Sequence, residues 1–163
     1  MTAAAKIRNH HEHDLKVRRM DFDFPDDIPD FWYGNDPFRT LLLATLSAGF
    51  PDGERFFIDS VRHYRDRITD PALQKAISAF IGQEGHHSKE HDVLNRMMKA
   101  RGFNLGRVER SVKIGMDMFR QRLSPERQLA HTAAAEHLTA LMAEGFMLDE
   151  NILAEMDPRM AAL

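Results

Sequence analysis

The chain has 163 residues, about one average domain, and its 43% hydrophobic share suits a folded globular protein. It contains no cysteine, which excludes a disulfide scaffold, a zinc–thiolate site, an iron–sulfur cluster and a thiol nucleophile. With 22 Lys and Arg against 25 Asp and Glu, the formal net charge is −3, and electrostatics makes no case for nucleic acid or an anionic membrane.

No segment reaches the ~18 consecutive apolar residues that a membrane-spanning helix needs. The N-terminus is polar, carries the cluster His10-His11-Glu12-His13 and lacks the apolar core of a secretory signal. The expectation is a soluble, cytoplasmic protein. Residues 1–35 read as an irregular arm, because Pro25 and Pro29 forbid a regular helix there. The aromatics Phe22, Phe24, Phe31, Trp32 and Tyr33 imply that this arm packs down on the rest of the chain.

Residues 36–163 read as a helical bundle. Asn35 or Asp36 caps a first helix with Pro37 in its first turn. Its apolar pattern runs through Leu42, Leu43, Leu46 and Phe50, and Pro51 and Gly53 are expected to bend or break it. The pattern resumes from about Glu54 to Ile68. Asp70-Pro71 starts a second long helix that Gly102 stops. A shorter amphipathic helix covers about Gly106 to Arg122. Ser124-Pro125-Glu126 begins a last long helix, expected to reach about Glu155, and Asp157-Pro158 reads as one more start. No stretch shows convincing strand alternation, so the fold class is all-α.

The second long helix carries the chemical signal. Steps of four and three from Leu73 pass through Ile77, Phe80, Glu84, His87, His91, Leu94 and Met98. This inward stripe is apolar at both ends and Glu, His, His in the middle. At ~100° per residue the three polar positions fall within about a 60° arc. An unpaired carboxylate buried in a bundle costs several kcal/mol, and a cation held between Glu84 and the two imidazoles removes that cost. The preceding helix repeats the pattern: Glu54 is the one charged member of the stripe Leu43, Leu46, Phe50, Glu54, Phe57, Val61, Tyr64 and Ile68.

A Glu on one bundle helix with Glu-x-x-His on another is half of a di-iron or di-manganese carboxylate site. Such oxygen and nitrogen donors suit Fe, Mn or Zn. Glu136, in Ala135-Glu136-His137-Leu138-Thr139, shares a stripe with Leu129, Ala133, Ala140, Ala143 and Met147. A competing apolar face runs through Leu138, Leu141, Phe146 and Leu148. Three rival readings accompany the metal site. Glu84, His87 and arginines among Arg55, Arg62 and Arg65 form a buried hydrogen-bonded network, although Arg55 lies beside Glu54 and should point elsewhere; Glu84, His87 and His91 hold a single metal without catalysis; or the chain is a non-catalytic bundle whose open face binds a partner or a second copy. His86 lies off the stripe, and Met97-Met98 read as core filler. There is no nucleophile elbow, no phosphate-binding glycine loop and no Rossmann fingerprint.

Four blocks carry a family resemblance: Trp32-Tyr33-Gly34-Asn35-Asp36-Pro37, Phe50-Pro51-Asp52-Gly53-Glu54-Arg55-Phe56-Phe57, Phe80-Ile81-Gly82-Gln83-Glu84-Gly85-His86-His87-Ser88-Lys89-Glu90-His91 and Ala135-Glu136-His137-Leu138-Thr139-Ala140. From about Asp21 onward the chain resembles the bacterial family described as predicted metal-dependent hydrolases, of the ferritin-like group of di-metal helical proteins. The resemblance implies a ferritin-like bundle with a di-metal centre, Fe first, that activates water or dioxygen. It casts Glu54 as the first-helix ligand, Glu84 as the bridging carboxylate with His87 beside it, and Glu136 as the carboxylate of the third ligand helix. His91 then matches an extra ligand or a hydrogen-bonded support for one. Members of the family continue past the Asp157-Pro158-Arg159 motif into a helix bearing a second Glu-x-x-His, whereas this sequence reads to Leu163. The corresponding expectation is a bundle lacking that final ligand helix, completed in a homodimer, with an unknown small-molecule substrate.

Overall fold

The computed structural model describes residues 15–162, so the His10–His13 cluster lies outside the described residues. The fold is all-α, and the described residues form six helices in chain order: α1 (Pro37–Arg65), α2 (Pro71–Ala100), α3 (Gly106–Arg122), α4 (Pro125–Leu148), α5 (Glu150–Ala154) and α6 (Pro158–Ala161). Among the described residues the sole β pairing is an isolated bridge between Tyr33 and Met156. No described helix is long and apolar enough to cross a membrane.

Three helices begin with the same device. Asp36, Asp70 and Asp157 each accept hydrogen bonds from backbone N–H groups of the first turn, and a proline follows each of them. Asp36 rather than Asn35 caps α1, while Gly34 and Asn35 turn the chain into it with φ of 60° and 56°. Pro125 also opens its helix, but the Ser124 side chain makes no capping bond. Gly102, at φ 90°, ends α2.

Two helix boundaries depart from the sequence expectation. Helix α1 is continuous through Pro51 and ends at Arg65, not Ile68. Proline removes one N–H from the ladder and leaves the carbonyl four residues back without its donor. Here that carbonyl is Ser47 O, and the Asn95 side chain donates to it at 3.2 Å. Helix α4 stops at Leu148 instead of reaching Glu155. Asp149 turns its carboxylate onto the N–H groups of Asn151 and Ile152, at 2.9 and 3.4 Å, and so starts α5.

Helix α1 packs against α2, α3 and α4. Its buried face is made of small residues, Thr40, Ala44, Ser47, Ala48, Pro51 and Gly53, followed by Glu54, Phe56, Phe57 and Ser60. Of the expected leucine stripe, Leu42 and Leu46 are exposed, while Leu43 packs against the core. Small side chains on the contact face let α2 approach closely, and the leucines border the clefts beside it. One apolar cluster unites Ile28, Trp32 and Tyr33 of the arm with Ala44, Ala48, Met98 and Leu105. Met98 is fully buried and Met97 packs against this cluster. A second group toward the other end stacks Phe56, Phe57 and Phe119 around His131. Along α1, Glu54 falls between Ala48 of the first group and Phe56 of the second.

The arm is strapped along α2 and to the C-terminal turn. The buried Glu90 carboxylate accepts from Asp21 N at 3.2 Å and Phe22 N at 2.9 Å. Arg101 donates to the carbonyls of Ile28 and Asp26. From the other side, Asp157 N donates to Trp32 O at 2.7 Å, Arg159 pairs with Asp27, and Arg39 pairs with Glu155.

Candidate metal centre

Glu54 sits two turns after Ser47 on the buried face of α1 and is 1% exposed. Glu84, His87 and His91 occupy successive turns of α2 opposite it. Helical geometry puts residues three, four and seven apart on one face, which is why these side chains meet at all. His87 Nδ1 lies 2.8 Å from Glu54 Oε1 and 3.5 Å from Glu84 Oε2. His87 Nε2 is 3.0 Å from His91 Nε2. Glu54, His87 and His91 each offer a ligand atom within 4.8 Å of the others, a group that can hold a metal ion. Glu54 and His91 approach opposite nitrogens of the His87 ring, Nδ1 at 2.8 Å and Nε2 at 3.0 Å, so they flank His87 on its two sides.

Charge is poorly balanced here. Among the described residues, the ion-pair partner of both Glu54 and Glu84 is His87. The arginines expected in a competing network turn away: Arg55 pairs with Asp52, Arg62 with Asp59, and Arg65 donates to Ser78 Oγ at 3.5 Å. Burial, reinforced by Glu84 and opposed by His87, pushes the Glu54 carboxyl up to about 8. Hydrogen bonds to Glu54 and then Glu84 hold the His87 proton, raising it to about 10 against its burial. Burial opposes ionisation of Glu84, yet its bonds with His87 and Glu54 leave it below the usual carboxylate range. Burial, and then the charge of His87, drives His91 down to about 3.

Glu136 approaches from α4. It lines a cleft of about 470 Å³ together with His87, His91, Ser47, Phe50, Leu94, Ala140 and Ala143. Burial first, and the Glu84 charge second, push its carboxyl up to about 7. Of the competing face of α4, Leu138, Leu141 and Leu148 are exposed, whereas Phe146 lines the same cleft as Glu136. Thus Glu54, His87 and His91 converge as one donor group, Glu84 joins through His87, and Glu136 borders the same space without belonging to that group.

The donor set fits a metal on an observation of its own: Glu54 Oε2 and Glu136 Oε1 are fully buried oxygens without a hydrogen-bond partner. Buried carboxylate oxygens are costly unless paired, and a divalent cation supplies the missing charge. Carboxylate and imidazole donors without sulfur suit Fe, Mn or Zn.

Two residues at the site escaped the sequence reading. Ser47 and Asn95, both buried, bond to each other at 2.9 Å, and Ser47 Oγ lies 2.9 Å from His91 Nδ1. Their signal was spacing: Asn95 follows His91 by one turn, and Ser47 precedes Glu54 by two. Phe50 stacks on the His91 ring, centroids 4.3 Å apart and planes 11° apart.

Comparison with curated proteins and with solved structures returned no match. A family model described as predicted metal-dependent hydrolase matches residues 16–163, a span that holds all the residues of this centre, and the chain belongs to that family.

Proposed function

We propose that the chain is a metal-dependent hydrolase whose centre is built from Glu54, Glu84, His87, His91 and Glu136. The observation that carries this reading is the donor group Glu54–His87–His91, beside two buried carboxylate oxygens without partners. Three carboxylates and two imidazoles, from Glu54, Glu84, Glu136, His87 and His91, would be enough donors to hold two metals. This is the ligand logic of ferritin-like di-metal bundles, and iron is the first candidate.

When bound, the metal supplies Lewis acidity and lowers the pKa of water toward neutrality. The protein does the rest. Glu54 and Glu84, buried on facing helices, fix the charge of the centre. His87 and His91 present nitrogens toward the cleft, and Glu136 closes it from α4. The apolar walls formed by Leu46, Phe50, Leu94, Ala140 and Phe146 accept the apolar part of a substrate and hold its reacting carbonyl or phosphoryl group against the centre.

The test is hydrolysis of a panel of activated esters and amides by untagged protein loaded with Fe, Mn or Zn. The expected result is turnover that chelation abolishes and that Glu84→Ala lowers by at least about 100-fold. Metal-dependent oxygen consumption with no such hydrolysis would instead assign the centre to oxidation.

The exposed leucines favour a second reading, a non-catalytic bundle that self-associates. Leu138 and Leu148 are 66% and 72% exposed on one helix, and such patches mark interfaces. Light scattering decides: a monomer at high concentration, unchanged by Leu138→Glu, removes this reading.

A further inference from the structure

A polar seam runs on from the candidate centre along the α1–α2 contact and ends at a proline. Pro51 has no N–H, so the carbonyl of Ser47 loses its donor within the helix. Asn95 takes the vacant place: its Nδ2 donates to Ser47 O at 3.2 Å. That bond fixes which end of the amide is oxygen. Oδ1 therefore faces Ser47 Oγ, at 2.9 Å, and can only accept. The one hydroxyl proton of Ser47 is spent on Asn95. Ser47 Oγ must then accept from His91 Nδ1, at 2.9 Å. A neutral imidazole carries one proton, so His91 holds it on Nδ1 and keeps a lone pair on Nε2.

Nε2 is the nitrogen on the side of the centre, 3.0 Å from His87 Nε2. Ser47 and Asn95 are 3% and 2% exposed, so water cannot substitute for either. The Phe50 ring, stacked on His91, opposes rotation of the imidazole. Histidines that bind metals characteristically give their other ring N–H to a fixed acceptor, which sets tautomer and direction. Here the acceptor is a hydroxyl, held in turn by an amide, held by a carbonyl that a proline set free.

We propose that Pro51, Asn95 and Ser47 act as one positioning device that fixes His91 with its proton on Nδ1 and aims its Nε2 lone pair into the centre. Its use for metal binding rests on the function proposed above; the tautomer is a property of the metal-free chain. The same device accounts for a proline in the middle of a long helix and for a buried Asn beside a leucine stripe.

The experiment is long-range ¹H–¹⁵N NMR of histidine-labelled, full-length, metal-free protein, paired with Zn²⁺ affinity measured by chelator competition. Wild type is expected to show His91 as the Nδ1–H tautomer. Ser47→Ala and Asn95→Leu are expected to shift His91 toward Nε2–H and to weaken Zn²⁺ binding by about 10–100-fold. Ser47→Thr, which keeps the hydroxyl, restores both. An Nε2–H tautomer in wild type overturns the proposal, as does unchanged tautomer or unchanged affinity in Ser47→Ala. Should the variants fail to fold, the wild-type spectrum alone still decides. If wild type shows the expected tautomer, lost in Ser47→Ala, but binds no zinc, the metal reading fails and the positioning of His91 stands.

Discussion

His87 stands between two carboxylates and a second imidazole, and in the metal-free chain it holds a proton that a metal must displace. Its Nδ1 faces Glu54 and Glu84, which raise it to about 10, and burial keeps Glu54 up at about 8. A metal binds only the deprotonated forms, so binding releases protons and affinity rises with pH. Titration with Mn²⁺ or Zn²⁺ in weak buffer is expected to acidify the solution, and the apparent Kd to fall as pH rises. A pH-independent Kd would contradict this. Glu54→Gln, nearly the same shape without the charge, is expected to keep the helical fold and lose at least about 10-fold in metal affinity, measured by calorimetry. Much of this cluster was legible from residue types alone, because Glu54, Glu84, His87 and His91 interrupt stripes that otherwise bury apolar side chains. Ser47 and Asn95 were not legible. Leu94 seemed to continue the α2 stripe, yet Asn95 is the buried neighbour of that turn, since its amide had a carbonyl to meet across the interface.

At the scale of helices, capping chemistry was the most readable feature. The Asp-Pro starts at 36–37, 70–71 and 157–158 each became a helix N-terminus. The two misread boundaries have different causes, one a distant partner and the other a local cap. Pro51 reads as a breaker until Asn95, 44 positions on, takes the orphaned carbonyl. The α4–α5 break depends on the Asp149 side chain choosing the N–H groups of Asn151 and Ile152 over solvent. Asp149→Ala is therefore expected to cost about 1 kcal/mol and to speed amide exchange at Asn151 and Ile152. Equal exchange rates in the variant would show that the cap does not hold α5.

Across the whole molecule, the arm and the C-terminal turn lock each other over one end of α1 and α2. Packing of the arm was expected from its aromatics, and Trp32 and Tyr33 are indeed buried. The polar straps were invisible beforehand, because Glu90, Arg101 and Arg159 find backbone groups or carboxylates 68 to 132 positions away. Glu90→Ala deprives two backbone donors of their acceptor. It is expected to cost about 1–3 kcal/mol in denaturant unfolding and to open residues near Asp21 to proteolysis. These straps tie the arm to α2 and to the C-terminal turn, while Glu54 and His87 meet across the direct α1–α2 contact. The central claim is that this meeting point holds metal. Its most direct test is the metal content of the untagged full-length protein, by mass spectrometry, with anomalous scattering to place the ions. Stoichiometric Fe, Mn or Zn is expected between Glu54, His87 and His91, and its loss is expected in Glu54→Ala and Glu84→Ala. Trace metal that is the same in wild type and both variants would contradict it.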